Sequence, residues 1–196
     1  MEEMTSIETE VPGAGPPTSQ SRRRLLRGIA AGLPGMLLLA PTLSPAAVRS
    51  PRSLSFYHTH TDERCSVLYY DNGRYLNDGL GELNRFLRDF RTDEVHRIDP
   101  ALLDTLHALQ QMTESRGRFE VISGYRSPTT NAMLRKASNG VAKRSLHMQG
   151  RAIDVRLTDR DISKLHKAAL TLKQGGVGYY RKSGFVHLDT GRVRSW

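Results

Sequence analysis

A single cysteine, Cys65, in 196 residues leaves no partner for an intramolecular disulfide. The chain is therefore not a disulfide-stapled scaffold, whatever the redox state of its compartment. Cys65 reads as a small, semi-buried strand residue. Long apolar runs are also missing: residues 28–40 are only moderately apolar and are broken by Gly32, Pro34 and Gly35. That run falls short of the roughly 20 apolar residues a membrane-spanning helix needs. Residues 1–20 almost lack large apolar side chains and are rich in Glu, Pro, Gly, Ser and Thr. Such a segment cannot offset the entropy of ordering, so disorder is expected there. The rest of the chain has no internal repeat and no low-complexity tract. Acidic residues are in deficit, 20 Asp and Glu against 29 Lys and Arg, for a net charge of +9. This would suit nucleic acid, but the basic residues are scattered, with no basic helix or aromatic-lined reading motif. A basic exported protein is equally drawn to an anionic polymer, such as a wall carrying free carboxylates.

Export is what the next segment suggests. Ser21-Arg22-Arg23-Arg24-Leu25-Leu26-Arg27 precedes the weak apolar run, and small residues and prolines follow up to Ala47. Charged, apolar and cleavage-like zones thus come in order. The paired arginines and the softened apolar run resemble a twin-arginine signal, which carries folded proteins across a bacterial inner membrane. Cleavage is expected near Ala46 or Ala47, membrane contact only through this signal, and residence in the periplasm or cell envelope. The export reading also argues against nucleic acid as a partner. The chain divides into residues 1–47, a disordered start plus signal, and residues 48–196, long enough for one domain with a real core.

Within 48–196, residues 54–59 and 65–70 read as strands, the second running into an Asp71-Asn72-Gly73 turn. Leu80, Leu83, Phe86, Leu87 and Phe90 recur at helical spacing and predict an amphipathic helix over 77–90. Asp99-Pro100 starts a second helix, which ends before Gly117. A strand is expected over 119–123, a helix over 129–137, a turn at Asn139-Gly140 and a strand over 150–156. Thr158 or Asp159 should cap a helix that Gly175-Gly176 ends, before strands at 177–180 and 185–189. Strands and helices mixed without regular alternation predict an α+β fold, one compact domain with a mostly antiparallel sheet and flanking helices.

The chemistry concentrates in Ser145-Leu146-His147-Met148-Gln149-Gly150-Arg151-Ala152-Ile153-Asp154 and, further on, Phe185-Val186-His187-Leu188-Asp189. Two histidines and a carboxylate, His147, His187 and Asp154, are the donors of a hydrolytic zinc. Such a site keeps three protein ligands and leaves the fourth position to water, whose pKa the metal lowers. Gly150 and Ala152 allow the backbone to come close. His58 and His60 alternate on the first strand near Thr61 and Glu63 but have no third ligand, so a structural role is expected. His96, His107 and His166 have no partner motif, and Tyr125, Tyr179 and Tyr180 are read as packing residues.

The pattern Ser-x-His-x-x-Gly-x-Ala-x-Asp over residues 145–154 resembles the signature of the D-Ala-D-Ala metallopeptidases and their hedgehog-like relatives. Residues 175–191 resemble the ending of the MepK-type murein endopeptidase branch. The resemblance covers nearly all of the chain beyond the signal and implies that fold, a single Zn2+ held by His147, Asp154 and His187, and peptide stems of peptidoglycan as the substrate. Ser123-Gly124-Tyr125-Arg126-Ser127 resembles the family segment that carries an active-site arginine, so Arg126 is expected to stabilise the oxyanion. Ser145 either orients a ligand or begins the turn. Several relatives carry Glu or Asp three residues before the final histidine as general base, but here that position is Gly184. Asp189, on the strand face shared with His187, is then either the base or the group that orients a ligating histidine. The expected activity is hydrolysis of wall cross-links. The alternatives are a wall carboxypeptidase trimming a terminal D-residue and a metal-stabilised module that grips wall peptides without cutting. The oligomeric state stays open.

Overall fold

The computed structural model of the chain describes residues 50–138 and 140–196. The expected signal, its cleavage point, the boundary at residue 47 and Asn139 lie outside the described residues.

Alternation of apolar and polar side chains builds the first hairpin. β1 (Arg52–His58) turns Leu54, Phe56 and His58 inward, and β2 (Arg64–Asp71) does the same with Cys65, Val67 and Tyr69, as a period of two requires. Cys65 is therefore a strand residue, as expected, but fully rather than partly buried. Asn72 and Gly73, at φ 49° and 82°, turn the chain into the two-residue β3 (Arg74–Tyr75). Helix α1 (Asn77–Phe86) packs on β2, so closely that a Cβ on Gly79 would lie 2.3 Å from the Leu68 carbonyl oxygen.

α2 (Pro100–Met112) begins as its sequence dictates, with Asp99 accepting a hydrogen bond from the Ala101 amide at 3.0 Å and Pro100 in the first turn. β4 (Phe119–Ser123), α3 (Pro128–Ala137), a short 3-10 helix (Leu146–Gln149), β5 (Ala152–Leu157), α4 (Ile162–Leu172), β6 (Gly176–Tyr180), β7 (Phe185–Asp189) and β8 (Arg194–Ser195) follow. The eight strands form one sheet in the order β3-β2-β1-β4-β5-β7-β6-β8. Pairing is antiparallel except between β1 and β4 and between β6 and β8. α2 packs on β1 and α4, and α4 covers β5, β6 and β7. Phe56, Leu83, Leu102, Leu106, Phe119, Ile153, Leu165 and Val186 are among the buried side chains of the single apolar core. This is the α+β arrangement the sequence pattern predicts, and among the described residues no helix is long and apolar enough to cross a membrane.

Two local expectations need correction. α1 stops at Phe86 rather than residue 90, because the buried Asp89 carboxylate accepts from the amides of Arg91 (3.0 Å) and Ser127 (2.8 Å), which turns the chain and ties it to the start of α3. Phe90 then leaves the helical stripe and stacks on His60, centroids 4.3 Å apart. Second, α4 starts after Asp161, whose side chain makes no capping hydrogen bond, and not after Thr158 or Asp159. Those two side chains instead accept from the amides of Arg118 (3.2 Å) and Arg116 (3.1 Å), joining the exit of β5 to the entry of β4. β3 and β8, for which the sequence offers no expectation, are too short to leave a periodic signal.

Candidate metal centre

The sheet brings the sequence-predicted trio together. Asp154 on β5 and His187 on β7 are direct cross-strand partners, which puts both side chains on one face. His147 comes from the 3-10 helix that immediately precedes β5. Gly150 ends that helix at φ 64°, and a Cβ there would sit 2.1 Å from the Arg97 carbonyl oxygen, so this position admits only glycine without displacement. The Asp99 amide also donates to the Gly150 carbonyl at 2.9 Å.

One ligand atom from each of His147, Asp154 and His187 lies within 4.8 Å of the others. His147 Nε2 is 3.3 Å from His187 Nδ1 and 3.3 Å from Asp154 Oδ1, and His187 Nδ1 is 2.8 Å from Asp154 Oδ1. Ligands about 2.0–2.1 Å from a tetrahedral zinc stand roughly 3.3 Å apart, so two of the three edges have that length and the third is slightly shorter. The far nitrogens are tied down. His147 Nδ1–H donates to the Gly124 carbonyl at 2.7 Å, and His187 Nε2–H donates to Asp189 Oδ2 at 3.1 Å. Each contact fixes the tautomer that leaves the inward nitrogen free to coordinate. The donor set and its geometry therefore fit a single divalent metal.

The electrostatics differ among the three ligands. His147 and Asp154 are 2 % and 4 % exposed. Burial pushes the His147 pKa down, keeping the imidazole neutral as a ligand must be. Burial would raise the Asp154 pKa, but the two imidazoles outweigh it and hold the carboxyl well below the ordinary range. For His187 burial is opposed by hydrogen bonds to Asp154 and Asp189, and the pKa moves up, so a metal would have to displace the proton that these carboxylates favour on the ring.

Arg126 reaches this cluster from the segment after β4. Its Nε–H donates to Ser123 Oγ at 2.7 Å, and its Nη2 pairs with Asp154 Oδ2. A register shift in β4 sets Ser123 opposite Asp154, and Gly124 presses on the Leu87 carbonyl, where a Cβ would be 2.6 Å away. Ser145 begins the 3-10 helix and makes no side-chain cap.

Asp189 is buried and crowded with donors. Its Oδ1 accepts from the amides of Gly176 (3.0 Å) and Gly191 (2.8 Å) and from Arg194 Nη1 (3.1 Å). Its Oδ2 accepts from Arg194 Nη2 (2.6 Å) and His187 Nε2. Burial raises its pKa, yet the donors prevail and hold it far below the ordinary carboxylate range. A carboxylate so saturated is a weak proton acceptor, which counts against its use as general base. No local pattern in the sequence marks Arg194 or these two amides as partners of Asp189; the Thr190-Gly191 step is the only local sign that the chain doubles back here.

The centre opens into a groove of about 530 Å³ whose lining includes Val141, Ala142, Arg144, Tyr180, Phe185 and Trp196. Among the described residues its only carboxylates are Asp154 and Asp189. Gly184, in the β6–β7 turn at φ 72°, offers no side chain to it.

The other histidines stay apart from this centre. His58 is buried beside Phe86 and Phe90 and accepts from the His60 amide at 3.2 Å. His96 stacks on Tyr125 and His166 on Tyr179. Among the described residues no second group of potential ligands assembles.

Residues 46–196 match the family described as peptidoglycan L,D-endopeptidase MepK. The chain belongs to this family. It is 40 % identical over 176 residues to the peptidoglycan L,D-endopeptidase MepK of Escherichia coli K12, covering 90 % of this chain and 97 % of the relative. The probable peptidoglycan L,D-endopeptidase MepK of Haemophilus influenzae is 40 % identical over 180 residues, or 90 % of this chain and 96 % of that protein. Membership in the MepK family accords with the murein-endopeptidase resemblance of the sequence. It also gives the three converging ligand atoms a chemical context, since peptidases of this wider family depend on a metal.

Proposed function

We propose that the chain is a metal-dependent endopeptidase that hydrolyses peptide cross-links of bacterial peptidoglycan, beyond the inner membrane, after export by the twin-arginine route. The convergence of His147 Nε2, Asp154 Oδ1 and His187 Nδ1 in the wall of an open groove carries the reading. Kinship with L,D-endopeptidases supports a bond between an L and a D centre as the one cut.

His147, Asp154 and His187 would hold the ion; two imidazoles and a carboxylate suit zinc, though manganese and cobalt accept the same donors. Bound there, the metal would lower the pKa of water and polarise the scissile carbonyl. The protein's own part is positional and electrostatic. Gly124 and Asp189 set the imidazole tautomers. Arg126, anchored by Ser123, holds a fixed positive charge beside Asp154, where it can donate to the oxygen that becomes negative as the carbonyl is attacked. Asp189 acts by orienting His187. Among the described residues the groove is lined by no acid besides Asp154 and Asp189, which leaves the general base unassigned to a carboxylate.

That absence, with Gly184 at the expected base position, also favours a second reading, a metal-stabilised module that binds wall peptides without cutting. Mass analysis of cross-linked muropeptides incubated with the metal-loaded protein separates the two. Conversion of dimers to monomers supports the endopeptidase; intact dimers that co-purify with the protein support the module.

A further inference from the structure

Trp196 is half in water, 51 % exposed, yet it is held from every side the protein can reach. Its amide donates to the Val177 carbonyl at 3.2 Å, and its own carbonyl accepts from the Tyr179 amide at 3.0 Å. The indole Nε1–H donates to Tyr180 Oη at 3.1 Å, and the Arg194 guanidinium lies 4.9 Å from the ring centroid. The ring lies over Gly178, where a Cβ would come within 2.8–2.9 Å of Cε2, Cζ2 and Nε1. Gly178 is the cross-strand partner of His187, so the indole crosses the rung that carries a metal ligand, 5.2 Å from the imidazole. Tyr180 and Phe185, stacked at 4.6 Å, continue the same wall of the groove.

A large ring fixed by its neighbours but left exposed beside a reactive centre is pre-organised for contact: its ordering entropy is already lost before a ligand arrives. We infer that Trp196 positions the substrate, its exposed indole surface receiving the aliphatic part of the peptide residue next to the scissile bond and holding the carbonyl over the metal ligands. This rests on the peptidase reading above. Arg194 couples the wall to the centre, since one guanidinium both lies on the indole and clamps the Asp189 that orients His187.

Trp196 is the one tryptophan of the chain, so emission excited selectively in the indole band, where the tyrosines do not absorb, reports on this wall alone. The test combines two measurements on the full, metal-loaded chain: steady-state cleavage of muropeptide dimers, and titration of the emission with uncross-linked muropeptide, the product of the proposed reaction. Trp196→Ala is expected to raise KM about five- to tenfold with kcat within about twofold and metal content unchanged, Trp196→Phe to recover most of the loss, and the wild-type emission to change saturably. Gly178→Ala, which displaces the ring, should raise KM likewise. An unchanged KM in Trp196→Ala together with flat emission overturns the inference. So does a loss of metal and of kcat at constant KM, the signature of a mere cover for His187. A saturable emission change in a protein that cleaves no dimer instead overturns the peptidase reading and leaves the binding wall standing.

Discussion

His187 and Asp189, two residues apart on β7, are joined by a 3.1 Å hydrogen bond from Nε2–H to Oδ2, while five donors in all converge on that carboxylate. The bond leaves His187 Nδ1 facing His147 and Asp154. Asp189→Asn should therefore weaken metal binding, by about 10–100-fold. Excess metal should then restore much of the activity. Metal titration followed by an activity assay at saturation reads both. A general base at this position would instead leave the affinity intact and lower kcat by about 10²–10⁴-fold.

Arg126→Lys keeps a positive charge near Asp154 but loses the planar fork that donates to both Ser123 and the metal-ligand carboxylate. Turnover of muropeptide dimers is expected to fall by about 10²–10³-fold. Metal content, measured by mass spectrometry of the native protein, should stay at the wild-type level. Loss of metal in this variant would assign Arg126 to holding Asp154 in place rather than to the oxyanion.

Gly150→Ala forces a Cβ to within 2.1 Å of the Arg97 carbonyl oxygen at a φ of 64°. The left-handed backbone alone costs about 1 kcal/mol for alanine, and the collision with a backbone oxygen adds to it. Urea unfolding should show a loss of at least about 1–3 kcal/mol. Because the glycine ends the 3-10 helix that carries His147, metal affinity should fall with stability.

His58 supplies a pH dependence away from the metal. Burial, reinforced by His60, pushes its pKa down from 6.5 to about 4, and its Nε2 is buried with no hydrogen-bond partner. Above pH 6.5 the imidazole is neutral in both folded and unfolded chains and contributes nothing. As pH falls from 6.5 towards 4 the unfolded chain takes up a proton that the folded one refuses, so stability declines, by about 3 kcal/mol at most. His58→Leu should flatten this window in unfolding experiments at pH 7 and pH 4.5. An unchanged slope would place the dependence elsewhere.

How much of this was legible in the sequence depends on range. Strand alternation at Leu54, Phe56, Cys65 and Val67 and the Asp99-Pro100 helix start are local signals, and the structure follows them. His147 and Asp154 stand seven residues apart in one motif, so their meeting at one point could be read from it. The environment of Asp189 could not: Gly176, Gly191 and Arg194 reach it through a turn and a two-residue parallel strand with no periodicity to detect. Trp196 was hidden for the same reason, and Gly178 explains itself only once the indole is seen lying on it. The early end of α1 had a comparable cause. The stripe through Phe90 is helical in spacing, but Asp89, bonded to Ser127 far along the chain, overrides it.

The most direct test is digestion of purified cross-linked muropeptides by the zinc-loaded chain, with chelator-treated protein and His187→Ala as controls and products followed by mass. Metal-dependent conversion of dimers to monomers, absent from both controls, is the predicted result. Dimers left intact by a protein that demonstrably holds zinc at His147, Asp154 and His187 would contradict it.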